Sequence, residues 1–403
     1  MNNFQRKNKN FKSDEFLPTM TRIFSMTRYF GVSTCKPSIA FGWTVILFLM
    51  LLAIEVGAIW KIVRLLGGWA VHSTDSRGFT ARLSGCIFYG NALLSLILSI
   101  KFVSSWEQLS ERWSRTETDP GLRLPSDSRI KRRTVLVSAF VMTCACVEHM
   151  LSMMSATGFD CPPEEYMERY ILSSHGFLVQ NDEYNLWLAI PIFIMSKLAT
   201  ALWNFQDLII ILISMGFTSR YNRLNTYVHR VVMLERNLKE GTQVSSENHM
   251  RFQIWRRIRQ AYVRQAALVR LVDDQLGALV LLSNVNNLYF ICLQLFLGIN
   301  SKDRGSFINR LYYFISLGWL MFRACGVVLA AADVYIHSKK ALISLYLCPE
   351  LAYNLEIKRL KYQLKNDEVA LTGMGLFSLN RELLLEVAAA VLKYELVLVQ
   401  YDK

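Results

Sequence analysis

The chain is 403 residues long, with a formal net charge of +13 and 52% hydrophobic residues. Its mean hydropathy is positive, at +0.24, and the apolar residues come in long blocks, which excludes an ordinary soluble globular chain. There is no Gly-rich phosphate loop and no Gly-x-Ser-x-Gly, and the six histidines are dispersed without helical metal-ligand spacing, so the sequence offers no basis for an enzyme, a bound metal or a cofactor.

Crossing about 30 Å of hydrocarbon takes about 20 apolar residues at 1.5 Å each. Seven blocks meet that length. They run roughly Ile39 to Val63, Leu83 to Phe102, Thr134 to Ala156, Leu186 to Phe217, Leu276 to Gly298, Leu311 to Tyr335 and Leu383 to Tyr401. The predicted fold is an all-α integral membrane protein with seven transmembrane helices. The first 38 residues are polar and basic without a short apolar core, so they read as a cytoplasmic arm and not as a cleaved signal. Span one is then its own insertion signal.

Basic loop residues stay on the cytoplasmic side. The arm is rich in Lys and Arg, and so is the loop after span two. The loop after span four carries eleven basic residues between Arg220 and Arg270, and Lys339 to Lys365 follow span six. The loop after span three has Arg169 alone beside six acidic residues from Asp160 to Glu183. The N-terminus is therefore predicted cytoplasmic and the C-terminus extracellular. A G-protein-coupled receptor has the reverse orientation, and its Asp-Arg-Tyr and Asn-Pro-x-x-Tyr motifs are missing. The positive charge belongs to these loops, so nucleic acid is not the expected partner.

Of the eight cysteines, Cys161 in an outer loop and Cys86 near the outer end of span two leave a disulfide open, while Cys144 and Cys146 read as small packing residues. The stretch RTETDPGLRLPSDSR between spans two and three reads as irregular. Before span five, Ile258, Tyr262, Ala266, Val269, Val272 and Leu276 recur every three or four positions and predict a cytoplasmic helical extension at about 250–275. Its arginines form either a solvated face or a contact with anionic inner-leaflet lipid. A further helix follows Ser338 and is kinked or broken at Pro349; Gly373 and Gly375 mark a joint, and Asn380 or Ser378 can cap the last helix.

Polar residues inside the membrane are costly and so informative. Counted at about 1.5 Å per residue, Glu55, Glu148, Tyr89, Asn91, Tyr289 and Trp319 fall in one layer of the outer half, with His149 beside it. Arg323 lies deeper and needs a partner. Two readings stand: a structural ion pair of Arg323 with one of these carboxylates, or a hydrated pocket of carboxylates, amide and rings suited to a sugar, whose hydroxyls need acceptors and whose C–H faces lie on aromatic rings. Asn284, Asn286 and Asn287 fit hydrogen-bonded packing between helices, and Asp207 a structural role.

The last span ends in KYELVLVQY, Lys393 to Tyr401. It resembles the final helix of the insect gustatory receptors, a Thr-Tyr, five mostly apolar residues and Gln-Phe: Tyr394 and Gln400 match, Lys393 stands where Thr is usual and Tyr401 where Phe is usual. LWNFQDLIIILISMGFTSRYNRLN, Leu202 to Asn225, is similar to span four of the sugar-sensing branch, and LTGMGLFSLNRELL, Leu371 to Leu384, to the approach to the pore helix. The resemblance implies a homo- or hetero-tetrameric cation channel opened by an extracellular sugar, with the pocket in the outer half of spans two to six. It also implies a cytoplasmic anchor, built from inward extensions of spans four to six with the first half of span seven, that joins four subunits.

On that reading residues 1–38 are the cytoplasmic arm, 39–336 spans one to six, 337–375 the anchor helix and joint, and 376–403 the pore-lining seventh helix. Glu148, Trp319, Tyr89, Asn91, Tyr289, His149 and Glu55 are the candidate ligand residues. Gln400, Val397 and Tyr394 are the candidate pore and gate residues. The expected partners are a sugar, permeant cations, membrane lipid and other subunits of the family, at the plasma membrane of gustatory neurons. The rivals are a relative tuned to a bitter or odorant molecule, and a secondary transporter, for which no matching pair of short interrupted spans is present.

Overall fold

Each apolar block lies inside a helix, and the helices outrun the blocks. In the computed structural model, which describes residues 15–33, 39–69, 79–117, 122, 124–237, 245–300, 307–350 and 353–401, the longest helices extend well past the hydrocarbon. The elements are α1 (Phe16–Met26), α2 (Ile39–Leu66), α3 (Phe79–Glu117), α4 (Ile130–Thr157), α5 (Tyr166–Ser174), α6 (Leu186–Asn237), α7 (Ser245–Asn300), α8 (Phe307–Lys339), α9 (Ala341–Tyr346), α10 (Leu355–Asn366) and α11 (Arg381–Tyr401). Among the described residues there is no strand, only an isolated bridge between Thr372 and Ser378. Six helices among the described residues, α2 to α4 and α6 to α8, are long and apolar enough to cross a membrane. Helix α11, the seventh expected span, is 21 residues long and carries Arg381, Glu382, Glu386, Lys393 and Glu395.

The extra length of α3, α6 and α7 carries a second stripe of buried apolar residues beyond the block. On α3 the buried Phe102, Trp106, Leu109 and Trp113 continue at helical spacing after the block ends. They have something to meet. The arm expected to be only polar and basic contains α1, whose Phe16, Met20 and Phe24 lie four residues apart and are buried. Phe16 packs on Trp113 at 5.2 Å between ring centroids, Phe24 on Trp106 at 5.0 Å, and Trp113 stacks on Phe217 at 4.4 Å. Gly216 on α6 makes room for the Phe16 ring, which lies where a Cβ would stand.

The stripe on α7 is buried as its spacing predicts, with Ile258, Tyr262, Val269, Val272 and Leu276 at 0–1% exposure. Its arginines are only partly a solvated face, because Arg259 bonds Glu356 at 2.6 Å and Arg270 pairs with Asp367, holding α10 against α7. Asn354 caps α10, its side chain accepting from the backbone N–H of Glu356 and Ile357. Helix α9 stops at Tyr346, ahead of Pro349.

The joint before α11 is a tight loop. Thr372 donates its N–H and its hydroxyl to Asp273 of α7, both at 2.7 Å, and Gly375 takes a positive φ of 74°. Asn380, and not Ser378, caps α11 by accepting from the Leu383 N–H at 2.9 Å.

Candidate functional site

At the end of the bundle away from α9 and α10, helices α3 to α8 enclose a cavity of about 530 Å³. Its wall carries six serines, Thr200, three tyrosines and two histidines, together with Glu148, Asn204, Gln294 and Arg323; rings of Phe88, Phe177, Trp203, Phe290 and Trp319 stand between them. Short helix α5 forms one side. It is pinned to α6 by the Tyr170 hydroxyl, 3.2 Å from the Ser196 hydroxyl and 3.2 Å from the Lys197 ammonium, which also lies 4.3 Å above the Tyr170 ring centroid. Phe177 closes over α3 at Gly85, where a Cβ would stand 2.5 Å from the ring.

The cavity brings together four of the seven candidate ligand residues. Glu148 accepts from Ser316 at 2.8 Å, and Ser316 in turn accepts from the Gln294 amide at 3.2 Å. His149 Nδ1 lies 3.5 Å from the Thr200 hydroxyl. Trp319 donates to Asn204 at 3.3 Å while its ring stacks on Phe322. Tyr89 is fully buried, and its hydroxyl has no hydrogen-bond partner among the described residues.

The other three are not in the wall. Asn91 is buried between helices and accepts from Gln206 at 3.4 Å. Glu55 accepts from the Cys86 thiol at 3.0 Å and packs over Gly90. Tyr289 sets its ring edge-on to Phe290 at 5.1 Å. Equal depth does not fix the direction in which a side chain points around its helix. Cys86 and Cys161 are both free thiols, so the disulfide left open by the sequence is not formed.

The floor is a buried ion pair, and it corrects one expectation. Arg323 does not pair with Glu55 or Glu148. Its Nε lies 2.7 Å from Asp207, the side chains being 3% and 0% exposed. Three helices each supply residues one turn apart: Trp203 and Asp207 on α6, Ser283 and Asn287 on α7, Trp319 and Arg323 on α8. Asp207 accepts from Ser283 at 2.5 Å and from Asn287 at 3.2 Å, Arg323 donates to Asn204 at 2.5 Å, and its guanidinium stacks 4.6 Å above the Trp203 ring. Asp207 thus takes the structural role expected of it.

Sequence reasoning missed the cavity's serines, Thr200, His175 and the whole of α5. Serine spaced along an apolar helix gives no signal of its own. The run Trp203, Asn204, Asp207 did, since its spacing puts an indole, an amide and a carboxylate on neighbouring positions of one face. Among the described residues no group of three or more His, Cys, Asp or Glu is placed to hold a metal ion.

Tyr394 on α11 is 47% exposed. Gln400 and Val397 fall within the helical range of α11, but their side chains lie outside the described residues.

This arrangement of helices is also found in a solved structure of an insect olfactory receptor. It is similar to the olfactory receptor OR5 from Machilis hrabei, alone and in complex with eugenol, with TM-scores of 0.67 and 0.65 at 12% identity, covering 96% of this chain and all of that one. The trehalose receptor family profile matches residues 3–403, and the chain belongs to that family. Among Drosophila melanogaster proteins, the gustatory receptor for sugar taste 64a is 30% identical over 341 residues, spanning 81% of this chain and 71% of the relative. The gustatory receptor for sugar taste 64f is 31% identical over 322 residues, spanning 79% and 65%. The gustatory receptor 5a for trehalose is 30% identical over 325 residues, spanning 79% and 69%. The chain thus spans about two thirds of the length of these relatives. The family is one of multi-pass membrane gustatory receptors of the sugar branch, not of enzymes.

Proposed function

We propose that the chain is a subunit of a sugar-gated cation channel in the plasma membrane of gustatory neurons. The cavity opens outward and binds the sugar. Helix α11 is the seventh span, running from a cytoplasmic anchor of α9, α10 and the inner parts of α6 to α8 to an extracellular C-terminus; four copies line the pore, with Tyr394, Val397 and Gln400 near the gate. The observation that carries this reading is the cavity wall itself. Hydroxyl, amide and carboxylate groups alternate with flat rings, and the Tyr89 hydroxyl is left for a ligand to satisfy. Glu148 offers an acceptor and Trp319 a surface for the C–H face of a pyranose.

The test is expression of the chain in a cell and measurement of cation current against sugars and bitter compounds. Trp319→Ala is expected to raise the half-activating sugar concentration about tenfold, equal to ~1.4 kcal/mol, and Glu148→Gln by about three- to tenfold, both with surface expression near normal. Current evoked by bitter compounds and by no sugar would overturn the reading.

Orientation has its own check. Because basic residues crowd alternate loops, a C-terminal epitope is expected to label on intact cells and an N-terminal one only after permeabilisation. Reversed labelling would remove α11 from the role of an outward-ending pore helix.

A further inference from the structure

A separate cavity of about 260 Å³ lies between α4, α6 and α8, toward the end of α8 that leads into α9. On each of these helices it falls at the limit of an apolar block: Thr134 on α4, Phe217 on α6 and Tyr335 on α8. Its wall is apolar on one side and polar on the other. Along α6 the lining runs Ile211, Met215, Thr218, Ser219 and Asn222, one face of the helix followed from inside the block to outside it. On α8 the order is the same, Ala330 and then Asp333. A space that turns from apolar to polar at the membrane boundary has the profile of a phospholipid, tail on one side and headgroup on the other.

The polar side carries positive charge. Arg129, Lys131, Arg132 and Arg133 stand within five residues, directly ahead of the block on α4, and Arg133 lines the cavity. Arg133 is exposed, and its guanidinium makes no ion pair or hydrogen bond among the described residues. Lys131, by contrast, turns to Glu15 at 3.3 Å. Helix α4 also begins with no side-chain cap and no acidic residue in its first turn, so the positive end of its dipole is uncompensated there. The Thr218 hydroxyl has no hydrogen-bond partner among the described residues. The carboxylate of the wall, Asp333, is held by Arg381 at 3.3 Å.

We propose that this cavity binds the headgroup phosphate of an anionic phospholipid of the inner leaflet. Arg133 is its charged contact, Thr218 and Asn222 donate beside it, and the acyl chains lie along Ile211 and Met215. The choice of leaflet rests on the orientation proposed above; the binding itself does not. A guanidinium presents a planar fork of donors that matches two phosphate oxygens, and basic pockets between membrane helices on the cytoplasmic side suit such headgroups.

The test uses the full chain purified in detergent, with dioctanoyl phosphatidylinositol 4-phosphate as the probe. Native mass spectrometry counts the lipid bound per subunit and gives its dissociation constant. Arg133→Gln is expected to raise that constant about tenfold, equal to ~1.4 kcal/mol, and Thr218→Val about threefold. Asp333→Asn removes a negative charge from the wall and is expected to lower the constant about threefold, a direction that damaged packing does not give. Lys131→Gln makes the same charge change as Arg133→Gln, two residues away and off the cavity, and is expected to stay within about twofold. Dioctanoyl phosphatidylcholine should bind about tenfold more weakly than the probe, and inorganic phosphate at equal concentration should not displace it. The proposal is overturned if Lys131→Gln costs as much as Arg133→Gln, which would mean diffuse charge, or if phosphatidylcholine binds as tightly as the probe. Displacement by inorganic phosphate would assign the site to the free ion and overturn the lipid. Should Arg133→Gln fail to fold, the opposite shifts of Thr218→Val and Asp333→Asn decide. Reversed epitope labelling overturns the inner leaflet alone, and is told apart from failure of the site because binding is read in detergent.

Discussion

Arg323→Leu is expected to remove most of the chain from the cell surface. The substitution leaves Asp207, which has no exposure at all, with only Ser283 and Asn287 for company in the membrane interior. Removing one member of a buried pair costs about 3–5 kcal/mol, a large part of the stability of a typical domain. The cost comes from the stranded charge, since the pair itself roughly breaks even against apolar residues of similar volume. The double variant Asp207→Leu with Arg323→Leu is therefore expected to recover at least about half of the lost surface protein. Surface biotinylation and the thermal midpoint in detergent read both. Wild-type levels for the single variant would show that the pair does not hold the bundle together.

Glu356→Gln is expected to loosen α10 from α7 and to remove a pH dependence. Burial disfavours the charged Glu356 carboxylate, but hydrogen bonds from Arg259 at 2.6 Å and Arg359 at 2.8 Å outweigh it and hold its pKa below the usual value of 4.5. A carboxyl with a lowered native pKa stabilises the fold fully above its unfolded value, and this stabilisation is lost as the pH falls through the lowered one. Arg359 is more than half exposed and adds little, so the bond to Arg259 dominates, at about 1.5–3 kcal/mol. The thermal midpoint of the parent should exceed that of the variant at pH 7, and the gap should close as the pH is taken below 4.5. A gap that stays constant with pH would assign the effect to packing.

The apolar blocks made the fold legible because a bilayer permits little else: a stretch long enough to cross and poor in charge must become a helix to satisfy its backbone. The stripe from Ile258 to Leu276 was equally plain, since every member faces one way and all are buried. What escaped was whatever depended on partners. Phe16, Met20 and Phe24 sit in a basic arm, and their burial is explained by distant helices, the stripe of Trp106 and Trp113 and the gap at Gly216. Depth along the helix found the layer of Glu148, Trp319, Tyr89 and His149. It could not separate them from Asn91, Glu55 and Tyr289, which share the depth and point elsewhere. Asp207 as the partner of Arg323 was hidden because the start of α6 fixes its depth, and that start is not marked by any charge. The sequence did mark the family, through short motifs whose letters carry no geometry of their own.

The division of labour within the cavity has a consequence for how taste can diverge. The charged floor is one cooperative unit from three helices, whereas Ser84, Ser152, Ser173, Ser174, Ser196 and Ser316 are spread over five helices. Exchanging one such serine for alanine, threonine or asparagine adds or deletes a single hydroxyl, amide or methyl at one edge of the cavity and leaves the floor untouched. On the proposed reading of the cavity as the sugar site, preference for one sugar over another can then change in single steps.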